Sequence, residues 1–345
     1  MKTQLPIRRR RLALPFVAAA ACASLTMSAL PAWADENPVP ADTAAEAISA
    51  IEDVVPEVLA DAAPGAASTA HALEYSTDTS TVSVPYNPES GALLTSPSGE
   101  VGLGFPFAEE ATTEVIGEGL VAFDNQNSSV TVPVIREEGS LQVLTVIEGP
   151  EAPDRYAYDL VLSPGSSVTP ADDGTILITD GEGSFAGLIM PAWAKDAAGD
   201  PVETWYEVTG STVTQVVVHD SDTQYPVVAD PWLGVTLFKN FNRTTYNGDH
   251  RYNGTVTVGG AIILSGGGGV GGHIAGMAVF NGNGWDEWKA KWSAITNKAT
   301  LKQQYSCHVA AGVYGLPFTG EYNLERSRAN RSNWVSGVLS HRCNW

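Results

Sequence analysis

Val130-Thr131-Val132-Pro133-Val134 and Leu141-Gln142-Val143-Leu144-Thr145-Val146 decide the fold of this chain. Both are short runs of β-branched and apolar residues, the composition of strands rather than of helices. Working outward, runs of the same kind recur at 81–84, 119–123, 156–162 and 175–178. Turn signals separate them: Pro164-Gly165, Asp172-Asp173-Gly174 and Gly199-Asp200-Pro201. Residues 202–208 and 212–218 predict a hairpin around Gly210-Ser211. Many short strands at such spacing imply a sandwich-like, mainly β region over 74–230.

On the N-terminal side, residues 35–73 are acidic and Ala-rich. Ile48, Ile51, Val55 and Val58 fall at helical spacing, which predicts one short, loosely attached helix broken near Pro56 and again at Pro64-Gly65. Residues 1–34 read as a signal peptide. Lys2 and Arg8 to Arg11 precede an apolar run, and Ala32-Trp33-Ala34 supplies small residues for cleavage after Ala34. The arginine run hints at the twin-arginine route, but the hydrophobic residues around it fit that pattern loosely, so the expected route is the general secretory one. The expected location is secreted, outside the cell. No later segment is long and apolar enough to span a bilayer as a helix.

Charge divides the remaining chain. Residues 35–230 hold three basic and 34 acidic residues, a net of −31. Residues 231–345 hold eleven basic and five acidic residues, a net of +6. Such asymmetry predicts separate roles: the acidic half repels nucleic acid and anionic membranes, and the cationic third attracts anionic surfaces. Tyr225-Pro226-Val227-Val228-Ala229-Asp230-Pro231-Trp232 marks a joint just where the sign changes. The stretch from Asp154 to Trp232 resembles a segment of exported actinobacterial proteins that closes a β-rich region before a variable C-terminal module.

Beyond the leader the chain holds two cysteines, Cys307 and Cys343. In an oxidising compartment an even pair forms one disulfide, worth roughly 4 kcal/mol by chain entropy. The rival reading is a catalytic thiol with His308 or His341 as base.

Residues 231–283 read as a Gly-rich β-hairpin region, with strands at 255–264 and 273–280 joined by a flexible glycine loop. The glycines lack the Gly-Lys-Ser/Thr of a phosphate loop and the βαβ frame of a dinucleotide site. A membrane-contacting reading of 259–276 is weighed beside the hairpin. From Asn283-Gly284 the period turns helical. Trp285, Trp288 and Trp292 share one face, as core or as a binding stripe. A second helix capped by Thr296 or Asn297 runs to Cys307, and a third is expected over 330–340 with Trp334, Val335, Val338 and Leu339 inward. Together 284–345 form a small α+β disulfide-closed domain.

Gly284-Trp285-Asp286-Glu287, then Gln304-Tyr305-Ser306-Cys307-His308, Tyr322-Asn323-Leu324-Glu325-Arg326 with Arg328, and Cys343-Asn344 follow one another in an order and spacing that resemble the DUF2599 domains of secreted actinobacterial proteins. The resemblance covers roughly the last 60 residues. It implies the domain boundary and the disulfide, and it implies no activity.

Catalytic arrangements are few. No Gly-x-Ser-x-Gly, His-Glu-x-x-His or Cys-x-x-Cys occurs. The six histidines are scattered; His250, His308 and His341 make an acid/base or metal site only if folding gathers them with Asp249 or Glu325. Arg326 and Arg328 are binding candidates whose simpler role is ion pairing with Glu325. Asp172-Asp173-Gly174 resembles a fragment of a calcium loop without its remaining ligands, so a turn is expected there. No cofactor, metal or nucleic-acid partner is expected. The leading expectation is an exported non-enzymatic protein, an acidic β scaffold carrying a cationic module that binds cell envelope or a partner. The alternatives are an antibacterial protein released from an acidic pro-region by cleavage near Pro231, and a secreted hydrolase centred on His308.

Overall fold

Strands Ser129–Ile135 and Leu141–Ile147 pair antiparallel, Ser129 opposite Ile147 and Ile135 opposite Leu141, and both are buried along their whole length. A strand buried on two faces must be covered twice. One cover is a second sheet, toward which Ile135, Leu141, Val143 and Ile147 point. The other is the helix Thr43–Val54, whose Ala44, Ala47, Ile48, Ile51 and Val54 lie on Val130, Val132, Val134, Leu144 and Val146. The acidic segment is therefore packed down, with Ile51 fully buried, rather than loosely attached. Pro56 ends the first helix and opens a second, Pro56–Ala60. Pro133 sits in a central strand because its outer neighbour, Leu120–Asp124, pairs only as far as Thr131.

The computed structural model describes residues 43–64, 67–116, 120–313, 315, 316 and 320–345. The expected signal peptide 1–34 and its cleavage at Ala34 lie outside them. All strand pairs are antiparallel. The first sheet has seven strands in the order His71–Ser76, Thr81–Pro85, Ala92–Ser96, Gly99–Leu103, Arg155–Val161, Thr212–Val217, Thr204–Thr209. The second has ten, running from Ser167–Pro170 through Ile176–Thr179, Phe185–Ile189, Trp232–Gly234, Leu141–Ile147 and Ser129–Ile135 to Leu120–Asp124 and Thr112–Ile116. Val227–Ala229 also pairs with Leu141–Ile147, and Ala194–Lys195 pairs with Val227–Ala229. Val82, Leu94, Tyr156, Tyr158 and Val213 of one sheet meet Phe123, Leu141, Ile178, Val227 and Leu233 of the other. The expected hairpin is present, Thr209 facing Thr212.

The joint at 225–232 is woven into this sandwich. Val227–Ala229 and Trp232–Gly234 both pair with Leu141–Ile147, and Asp230 between them is 1% exposed. Its carboxylate accepts from Gln142 Nε2 at 2.9 Å and Trp193 N at 3.4 Å, and burial pushes its pKa up to about 7. Gln142 in turn accepts from Arg136, which also reaches Val58 O and Asp61 Oδ2 and lies 5.2 Å over the Trp232 ring. One buried polar chain thus ties the N-terminal helices, the central strands and the joint together.

Beyond the joint, Phe238–Tyr246, Asp249–Val256 and Glu321–Glu325 form a three-stranded sheet. Their inner face packs an aromatic core of Phe238, Phe241, Tyr252, Trp288, Tyr305 and Tyr322. Leu177, Phe185 and Leu188 of the large sheet belong to the same cluster, so the C-terminal part shares its core with the sandwich. Glu287, fully buried, accepts from Leu237 N at 2.7 Å and Phe238 N at 2.9 Å, pinning helix Trp285–Lys291 to the first strand. Burial pushes its pKa up to about 8.

Four expectations are overturned here. The Gly-rich stretch is not two strands: it forms helices Val258–Leu264 and His273–Val279. Thr257 Oγ1 accepts from Gly260 N at 2.9 Å and starts the first helix. Close approach explains two of the glycines. A Cβ on Gly276 would lie 2.1 Å from Ile263 O, and one on Gly260 would lie 2.5 Å from Leu237 O. The connecting loop is not a free tether either, since Gly268 N donates to Asp173 Oδ2 at 3.0 Å in the expected 171–175 turn. Helix Ala299–Gly312 starts at Lys298 without a side-chain cap, because Thr296 lies in the preceding 3-10 turn Ser293–Thr296 and Asn297 closes that turn. The third helix is only Val338–His341: Gly337 at φ 84° breaks it, and Val335 and Leu339 are 69% and 74% exposed rather than inward.

Candidate functional site: a cationic face

The string Gln304-Tyr305-Ser306-Cys307-His308 proves to be a set of packing residues. Gln304 grips the edge of Glu321–Glu325, donating Nε2 to Glu325 O at 2.9 Å and accepting Glu325 N at 2.8 Å. His308 is 1% exposed and stacks on the Tyr322 ring, centroids 4.8 Å apart. Cys307 and Cys343 are joined in a disulfide with Cα atoms 5.4 Å apart, so neither offers a thiol. His341 fixes the chain end. Its Nε2 lies 2.8 Å from Trp334 O, which it meets as donor, and its Nδ1 accepts Cys343 N at 3.0 Å. His250 lies elsewhere, its ring beside Tyr252. Among the described residues, no group of three or more His, Cys, Asp or Glu is placed to hold a metal ion.

Trp285, Trp288 and Trp292 form core rather than a ligand platform. Trp288 is fully buried, and its ring meets Phe238, Phe241, Trp292, Tyr305 and Tyr322. Trp285 packs on Tyr305, and Lys302 lies over both rings at 4.5 and 4.6 Å. Burial there lowers the Lys302 pKa to about 8.

Arg326 and Arg328 do stand at a surface. The outer face of the three-stranded sheet carries Asn242, Thr244 and Tyr246 on the first strand, Asp249, Arg251 and Asn253 on the second, and Asn323 and Glu325 on the third. Arg251 and Arg328 flank the Tyr246 ring, at 5.7 and 5.5 Å from its centroid. Arg326 Nη1 donates to both Asp249 oxygens at 3.1 Å. The His250 N–H, and then Arg326, hold the Asp249 carboxylate below its ordinary pKa. Arg328 pairs with Glu325, and Lys298 Nζ donates to Arg326 O. Arg251 gives its Nε to Thr244 Oγ1 at 3.1 Å.

Pairing separates the two parts of the chain. All three basic residues of 35–230 meet a carboxylate: Arg136 with Asp61, Arg155 with Glu207, Lys195 with Glu57. In the C-terminal third, Lys239, Arg243, Arg251, Lys298, Lys302, Arg331 and Arg342 enter no salt bridge among the described residues. Unpaired cations thus gather where the sequence carries its positive excess.

Nothing matches the chain among protein-family models, curated proteins or solved structures. Sequence reading found Arg326 and Arg328 but missed Tyr246, Arg251 and Lys298. The missed signal was the period-two polar pattern Asn242-x-Thr244-x-Tyr246 opposite Arg251-x-Asn253.

Proposed function

We propose that this is an exported, non-enzymatic protein in which an acidic β scaffold carries a cationic, disulfide-closed module of the DUF2599 kind that binds an anionic component of the cell envelope. The unpaired cations of the C-terminal third, beside a scaffold whose basic residues are all neutralised, are the observation that supports it. Compatible with this reading are the Cys307–Cys343 disulfide and the lack, among the described residues, of a helix long and apolar enough to cross a membrane. A hydrolase centred on His308 gains no support from a ring stacked inside the core. Release of the tail by a cut near Pro231 gains none from a joint buried in the large sheet. The test is co-sedimentation of the intact protein with isolated cell envelopes over a salt series. Binding at low salt that is lost as salt rises is expected; no binding at the lowest salt refutes the proposal.

A further inference from the structure

The outer face of the three-stranded sheet differs from the usual membrane-contacting surface. Residues 242–251 contain no apolar side chain apart from Tyr246, whose ring is flanked by two guanidinium groups. A lipid-binding patch pairs basic residues with exposed apolar ones that enter the acyl boundary; this face offers nothing to insert. It offers instead two chemistries in one strip. Guanidinium forks at Arg251 and Arg328 suit a planar or tetrahedral oxyanion. Hydroxyl and amide groups of Thr244, Asn242 and Asn253 suit a chain of hydroxyls. The Tyr246 ring, with both guanidinium groups over it, sets their spacing.

Asn253 holds the polar strip in place from beneath. It is 2% exposed, and its Nδ2 donates to Asn242 Oδ1 at 2.7 Å and Thr244 Oγ1 at 3.3 Å. Its Oδ1 has no hydrogen-bond partner in the protein, although a buried acceptor normally finds one.

We infer that this face, centred on Arg251, Tyr246 and Arg328, binds a water-soluble anionic polymer with a hydroxylated backbone, of the poly(polyol phosphate) class. The inference rests on the proposed envelope-binding role and names the ligand chemistry of that role. Arg251 is the principal anion contact, because its charge is not already matched by a carboxylate among the described residues. Arg328 shares its charge with Glu325 and acts through the flat side it presents to Tyr246.

Binding of the full chain, disulfide intact, to poly(glycerol phosphate), to polyglutamate and to phosphatidylglycerol vesicles tests this by calorimetry. Poly(glycerol phosphate) is expected to bind most tightly of the three. Arg251→Ala is expected to weaken it about tenfold, and Arg251→Glu further. Arg155→Ala removes the same charge from an exposed site in the acidic part of the chain and is expected to change it by less than about twofold. Arg328→Lys keeps the Glu325 pair and the fold, and is expected to weaken binding through loss of the planar fork. Absence of poly(glycerol phosphate) binding overturns the inference. So does equal weakening by Arg251→Ala and Arg155→Ala, or binding to polyglutamate or vesicles as tight as to the polyol polymer. If the Arg251 variants still sediment with envelopes like the parent, envelope binding stands and this face is not its site.

Discussion

Glu287 shows how much one side chain can decide. Its two oxygens take the backbone N–H groups of Leu237 and Phe238 inside the aromatic core. Glu287→Gln places an amide N–H against a backbone N–H, and should lower stability by roughly 1–3 kcal/mol in urea unfolding. The carboxyl also makes stability depend on pH. Its folded pKa is raised from 4.5 to about 8, so the folded state holds the proton more tightly than the unfolded one. Stability should therefore fall as pH rises from 4.5 to about 8, and level off above. Asp230 acts in the same direction between 3.8 and about 7. Urea midpoints across this range check the sign, and Glu287→Gln should flatten the upper part of the slope. Stability that rises over this interval would contradict the argument. Neither carboxylate was legible in the sequence. Glu287 sits in the first turn of a helix, where acidic residues are ordinarily exposed, and only the fold brings two strand N–H groups to it.

At the scale of elements, legibility followed how far each segment depends on its own pattern. The sandwich strands were readable as β-branched, apolar runs cut by turn residues, and the helix ahead of Pro56 by its 3.6-residue spacing. The Gly-rich stretch was misread because Ile262-Ile263-Leu264 is a short apolar run, which a strand and a buried helix share. The deciding contact there, Gly276 against the Ile263 carbonyl, lies between two elements and leaves no period. Gly276→Ala should destabilise the protein by about 2 kcal/mol, since its Cβ meets backbone at 2.1 Å that cannot swing away. Gly282→Ala meets nothing within 4 Å and should be neutral or slightly stabilising. Thermal midpoints of the two variants compare them directly. Of the candidate site, Arg326 and Arg328 were visible as charges, but Tyr246 and Arg251 gained meaning only once Glu321–Glu325 paired with Asp249–Val256 across a long stretch of chain.

For the molecule as a whole, the charge boundary at residue 230 does not coincide with a gap in packing. Ala41–Trp345 form one compact unit, and Leu177, Phe185 and Leu188 join the C-terminal aromatic core. Tryptophan fluorescence and far-ultraviolet circular dichroism should accordingly report one coincident unfolding transition. Two separated transitions would show that the shared cluster couples the parts weakly. Reducing Cys307–Cys343 should shift that transition to lower denaturant by an amount equivalent to roughly 4 kcal/mol. The interlaced joint has a temporal consequence as well. Strand Leu141–Ile147 receives its neighbours Val227–Ala229 and Trp232–Gly234 only after some eighty further residues have been made. A nascent chain leaving the ribosome amino end first must hold that edge open until residue 234 emerges, so the sandwich is completed late and by its last strands.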